Sequence, residues 1–345
     1  MKETCKNLQV RLNSLNFDRL WPGFHLFPFA IYDDKNIFFP DRPTLPWDPR
    51  FSGNTAIDFE GKPLAIWNWK ESPVSDQDVL ASKLVHEMFH AFQKERGETR
   101  WADEMEGLRY VYDADNLCKK YMENFHLSGF NYSFSLETWR ILLAFRNARA
   151  AAFPEAIRYE SRIETIEGLA QFVELGVLRQ LDLGKFRVGV RQISDFLNDP
   201  KKLFPIRGAC YQSGTMMCII AEENGIPFRH EIGRETRPLH EILGEGIPAH
   251  DHKVRIQSVV TETEAFLAER HERLERFLDS AETVLSGSFD LAGFDPTNGF
   301  LDGNRLFSPR FLVVKNALGS HYLKGESVAV MDESFRITKV FQKRG

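Results

Sequence analysis

Val85-His86-Glu87-Met88-Phe89-His90-Ala91-Phe92 decides how this 345-residue chain is read. Within it, His86, Glu87 and His90 form a His-Glu-x-x-His string. On an α-helix, residues i and i+4 lie on one face, one turn apart. Two imidazoles so placed can converge on a single metal ion. A glutamate beside the first can face the ion's open side and take a proton from bound water.

The flanks read as the required helix. Glu71-Ser72-Pro73 is a breaker, and Ser75 with Asp78 forms a capping-box-like start. Leu80, Leu84, Met88 and Ala91 recur at spacings of four, four and three, and Val85, Phe89 and Phe92 widen the stripe, so a buried helix is predicted over 76–95. The competing reading is two core or surface histidines that happen to sit a turn apart. Burying both imidazoles and a carboxylate among Val85, Met88 and Phe89 would leave polar groups in need of partners. A metal ion supplies one.

Catalytic zinc usually has three protein ligands and keeps one position for water. A third ligand is sought in a second helix, predicted over 155–181, whose apolar face is Ile163, Ile166, Leu169, Ala170, Val173 and Val177. Glu160, Glu164, Glu167, Gln171 and Glu174 form one polar, mostly acidic stripe along it. Such a stripe is ordinarily a solvated face. Gly168 and Ala170 argue otherwise, because a helix-interior glycine costs about 1 kcal/mol and suggests close approach by another element. The expected element is the helix carrying His86 and His90.

The two segments together resemble the gluzincin group of zinc metallopeptidases. There a helix with HExxH is followed by a helix that supplies a glutamate ligand, in some families as Glu-Gly-x-Ala-x-(Tyr/Phe); here that stretch is Glu167-Gly168-Leu169-Ala170-Gln171-Phe172. The resemblance covers roughly 54–225 and rests on two short motifs. It implies His86, His90 and Glu167 as zinc ligands and Glu87 as general base. The 76 residues between His90 and Glu167 exceed the gap in many relatives, and the insertion, about 100–152, reads as two helices over 102–125 and 136–153. Glu164, one turn earlier, is the alternative ligand or a partner for a histidine N–H. Several such families also carry a Tyr-x-x-Gly segment, matched by Tyr211-Gln212-Ser213-Gly214 at the start of a helix predicted over 212–224. The resemblance makes Tyr211 the candidate donor to the oxyanion of a tetrahedral intermediate; a structural tyrosine at a helix start is the other reading. His230 is an alternative donor with no motif around it, and His240, His250 and His252 are expected at the surface or as caps.

Around this centre the chain divides into parts. Residues 1–73 carry strand and turn signals, with hairpins over 27–39 and 55–69. In gluzincin-like enzymes the edge strand of a sheet preceding the HExxH helix binds peptide by strand addition; the strand over 64–69 is expected to do so here, or to be a plain core hairpin. Residues 74–286 are mostly helical, ending in a charged helix over 254–285. Residues 287–345 become rich in glycine and aspartate and read as a small β module; Asp302-Gly303 marks a turn, and no full calcium loop is present. The module is expected either to pack against the N-terminal sheet and narrow a cleft, or to serve stability or partner binding.

Hydrophobic content of 43%, charged content of 27% and a net charge of −5 suit a globular enzyme and give no sign of nucleic-acid binding. No apolar run reaches the ~18 residues of a membrane span, and no signal-peptide core follows the N-terminus. Cys5, Cys118, Cys210 and Cys218 are scattered, which fits free thiols in a reducing cytoplasm. The sequence thus predicts an α+β protein with an N-terminal antiparallel sheet, a mainly helical zincin-like catalytic body and a C-terminal β module. The expected activity is zinc-dependent hydrolysis of peptide or protein substrates in the cytoplasm. The competing classes are a metal-binding or catalytically inactive relative used for interaction, and a hydrolase of a non-peptide amide.

Overall fold

A computed structural model describes residues 1–130 and 133–343. The chain opens with α1 (Lys2–Asn13) and α2 (Phe17–Leu20), then forms β1 (Phe29–Tyr32), β2 (Asn36–Phe38), β3 (Leu45–Pro46), β4 (Thr55–Phe59) and β5 (Lys62–Asn68). The helical body follows: α3 (Gln77–Glu95), α4 (Glu104–Leu108), α5 (Ala114–Gly129), α6 (Leu136–Ala152), α7 (Pro154–Leu181), α8 (Leu183–Leu197), α9 (Ile206–Glu223), α10 (Leu239–Leu243) and α11 (Gln257–Leu278). Seven strands close the chain: β6 (Glu282–Phe294), β7 (Phe300–Asp302), β8 (Arg305–Ser308), β9 (Phe311–Asn316), β10 (Gly319–Lys324), β11 (Ser327–Met331) and β12 (Ile337–Gln342).

The expected α+β class holds, but the N-terminal sheet is mixed rather than antiparallel. Its order is β3-β2-β1-β5-β4, and β1 runs parallel to β5 with Phe29 opposite Ala65 and Tyr32 opposite Asn68. Each predicted hairpin forms; their joining is the non-local pairing that local turn signals do not specify. One consequence corrects the docking-strand expectation. β5 is hydrogen-bonded on both sides, so residues 64–68 offer no free edge, and the edge on that flank is β4.

Alternation along the strands buries both faces of this sheet. Phe29, Ile31, Ala56, Ala65 and Trp67 face the helices, in one cluster with Leu84, Val85, Met88, Phe89 and Phe92 of α3 and Cys5, Leu8 and Leu12 of α1. Ala30, Tyr32, Ile37, Leu64 and Ile66 point the other way, beneath Phe39, Phe51 and Phe59. Helix α3 starts one residue from the expected cap. Asp76 accepts from the backbone N–H of Asp78 and Val79, while the Asp78 carboxylate turns to Lys185 and Arg11.

Helix α7 packs most extensively against α9. The close approach signalled by Gly168 is to α9, not to the histidine helix as expected: a Cβ on Gly168 would lie 2.7 Å from the Gly214 Cα. Glycine is needed at both positions because the two backbones touch.

The C-terminal sheet, in order β10-β9-β6-β12-β11-β8-β7, is antiparallel throughout. It begins earlier than the sequence suggests. Helix α11 stops at Leu278, and pairing with β12 draws Glu282–Leu285 into β6. The module's core takes in Leu108, with Met105 packed against it, both from α4; Phe300, Phe307 and Val328 pack on Leu274 and Phe277 of α11. Among the described residues, no helix is long and apolar enough to cross a membrane.

Candidate metal centre

Helix α3 sets His86 above His90 with ring centroids 4.9 Å apart and Nε2 atoms 3.2 Å apart. Helix α7, arriving from far along the chain, sets the Glu167 Oε2 3.1 Å from His90 Nε2 and 3.6 Å from His86 Nε2. Ligand atoms around a tetrahedral zinc, at bond lengths of about 2.0–2.2 Å, lie about 3.3 Å apart. The three observed separations bracket that value, so the donor set fits such an ion in both chemistry and spacing.

The remaining polar atom of each candidate ligand is held from behind. His86 Nδ1 is 3.1 Å from Glu174 Oε2, and Glu174 in turn accepts from Lys83 at 3.2 Å. His90 Nδ1 is 2.8 Å from Gln93 Oε1, and the Gln93 amide donates to the Ile166 carbonyl on α7. Glu167 Oε1 accepts from Arg207 at 3.1 Å. These contacts point both Nε2 atoms and Oε2 at one place and set the ring orientations. Glu174, Gln93 and Arg207 had no role in the sequence reading. Glu174 lay on the acidic stripe seven residues from Glu167, which was a usable signal; nothing marked Arg207.

Charge around the centre is unbalanced. Acidic side chains outnumber basic ones there: Glu174 pairs with Lys83, Glu104 and Glu167 share Arg207, and Glu87 has no ion pair with Lys or Arg among the described residues. The ionisation of His86 reports the same field. Burial opposes its protonation, yet Glu167 and Glu174 prevail and raise its pKa to about 10.

Glu87 is 9% exposed and hydrogen-bonds to no described residue, so its carboxylate is uncommitted. Burial pushes its pKa up, against the pull of His86 and His90. Tyr211 lies in the second turn of α9 rather than at a helix start, because α9 begins at Ile206. It is brought close to Glu167 and Arg207; burial, then the Glu167 charge, hold its hydroxyl well above the usual tyrosine range.

Glu164 does not reach the histidines. Its carboxylate is taken by Lys120 at 2.6 Å, by the Ser213 hydroxyl at 2.6 Å and by Arg146. His230 is engaged at both nitrogens, by the Arg100 guanidinium and the Phe228 carbonyl. His240 is 4% exposed, not superficial as expected, whereas His250 and His252 are exposed. Among the described residues, two other groupings have metal-ligand spacing, but both already hold cationic side chains. Lys120 and Arg146 occupy Glu160–Glu164–Cys210, and Arg305 pairs with two members of His271–Glu275–Asp302. No family model, curated protein or solved structure matches this chain.

Proposed function

We propose that the chain is a zinc-dependent hydrolase, a gluzincin-like metallopeptidase, with His86, His90 and Glu167 holding the metal. The supporting observation is the convergence of two Nε2 atoms and one carboxylate oxygen, His90 and Glu167 being separated by 76 residues of sequence, beside a buried carboxylate with no hydrogen-bond partner among the described residues. Zinc bound there would lower the pKa of a water toward about 7 and polarise a carbonyl. Glu87 would take a proton from a water at the site and return it to the amine released as the C–N bond breaks; its affinity for protons, raised by burial, suits both roles. Tyr211 donates a hydrogen bond to the substrate oxygen as negative charge builds on it. The outer edge of β4, where the Ala56 carbonyl accepts from Lys94, is where an extended peptide would add as a strand. Four unpaired, buried cysteines support a reducing, cytoplasmic setting.

Metal analysis of chain purified without chelator should find about one zinc, and His86→Ala or His90→Ala should empty the site. Glu87→Gln should keep the metal and lose hydrolysis by about 10²–10⁴-fold. Full metal content in both histidine variants would sink the ligand assignment. Zinc uptake with no turnover of any peptide or amide would favour a binding role.

A further inference from the structure

We propose that α4 is the link through which the C-terminal β module positions the metal ligand Glu167, with Glu104 and Arg207 as positioning residues. The inference rests on the metal-site reading above and extends it to regulation by the module.

Helix α4 has two occupied faces. On one, Leu108 sits in the module's core beside Met331 and Ile337, Met105 packs against the same core, and the Arg109 guanidinium lies 4.3 Å from the centre of the Phe335 ring. On the other, Gly107 lies under the Tyr159 ring of α7, where a Cβ would come within 2.6 Å of ring carbon, and Glu106 pairs with Arg158 of α7 at 2.7 Å. Glu104 presents both oxygens to Arg207 Nη1, each at 2.8 Å. The other terminal nitrogen, Nη2, donates to Glu167 Oε1.

Arg207 is placed against local preference. It lies in the first turn of α9, where the helix dipole disfavours a cation, and it is 9% exposed. Two carboxylates offset that cost. Without Glu104 the guanidinium loses the partner that fixes its direction. Without Arg207 the Glu167 carboxylate can rotate, and Oε2 no longer has a set position against the two imidazoles. The link therefore runs from the module's core through Leu108, Glu104 and Arg207 to Glu167.

The test is zinc affinity of the full chain by chelator competition, with the melting temperature of the metal-free protein and the kcat and KM of the loaded one. Glu104→Gln and Arg207→Met should each weaken zinc binding about 10–100-fold, the effect typical of removing a ligand's supporting partner. In the loaded enzyme kcat should fall more than KM changes, Arg207→Lys should recover part of the affinity, and Leu108→Ala should shift it the same way by less. Wild-type affinity in Glu104→Gln and Arg207→Met, with a lowered melting temperature of the metal-free protein, would mean a purely structural role and would overturn the link while leaving the metal site standing. A wild-type chain that takes up no zinc would overturn the site reading and the link together.

Discussion

Two clusters of charge sit along the same stripe of α7, less than one turn apart, and they differ in how their charges close. Glu160 and Glu164 enter a buried network in which Lys120, Arg146 and Arg149 face Glu123, Glu160 and Glu164, three cations against three carboxylates. Glu167 and Glu174 meet the imidazoles of His86 and His90, and of their two cations, Arg207 and Lys83, Arg207 is shared with Glu104. The first cluster balances its charge with its own side chains, although Glu123 Oε1, Glu160 Oε2 and Arg146 Nε find no hydrogen-bond partner among the described residues. The second has the charge and spacing of a site for something brought from outside. Similar residues on one helix face therefore carry different chemistry, decided by which helix packs opposite each.

The sharpest way to break this comparison is to exchange the losses. Glu164→Leu should cost about 3–5 kcal/mol of stability, since it strands Lys120 and Arg146 without a shared partner in the interior. Its zinc content should stay at the wild-type level. Glu167→Ala should do the reverse, emptying the site at a much smaller cost to the metal-free protein. Denaturant unfolding and metal analysis on both variants decide it, and zinc loss in Glu164→Leu with retention in Glu167→Ala would move the third ligand one turn earlier.

A smaller effect sharpens the second cluster. Glu174→Ala should weaken zinc binding about 10–100-fold by freeing the His86 ring, while leaving one metal per chain at saturation. Unchanged affinity would remove Glu174 from the site.

The smallest effect is in acid. Burial pushes Glu160 and Glu164 up, but Arg149 for the first, Arg146 for the second and Lys120 for both hold them below the ordinary carboxylate range. A depressed folded-state pKa gives stability that is present above the unfolded value of 4.5 and lost as the pH falls below it. Glu164→Gln should therefore flatten the loss of stability below that pH. An acid limb as steep as that of the wild type would show that the network does not set it.

Legibility in the sequence followed the range of each interaction. The α3 helix and its paired histidines were readable because both are set by neighbours within one turn. Glu167 was reachable through a short motif, and Glu174 lay two turns on, on the same stripe. The β1–β5 pairing was not readable, nor was the end of α11, where partnership with β12 overrides a helical pattern across Glu282–Leu285. Gly168 marks a close approach without naming its partner, because a glycine shows that something comes near but not what.

The sequence by itself determined part of the local order of this protein: that α3 and α7 are helices, that the two imidazoles face one way, and which face of α7 is polar; α1, a helix in the stretch expected to hold strands and turns, lies outside that part. Packing alone decided that Glu164 belongs to Lys120 and Arg146, that Glu167 belongs to His86 and His90, and that Arg207 stands between Glu104 and Glu167. The physical reason is that a carboxylate's partner is fixed by whichever element comes within about 4 Å of it, and elements far apart in the chain meet only when the whole core closes.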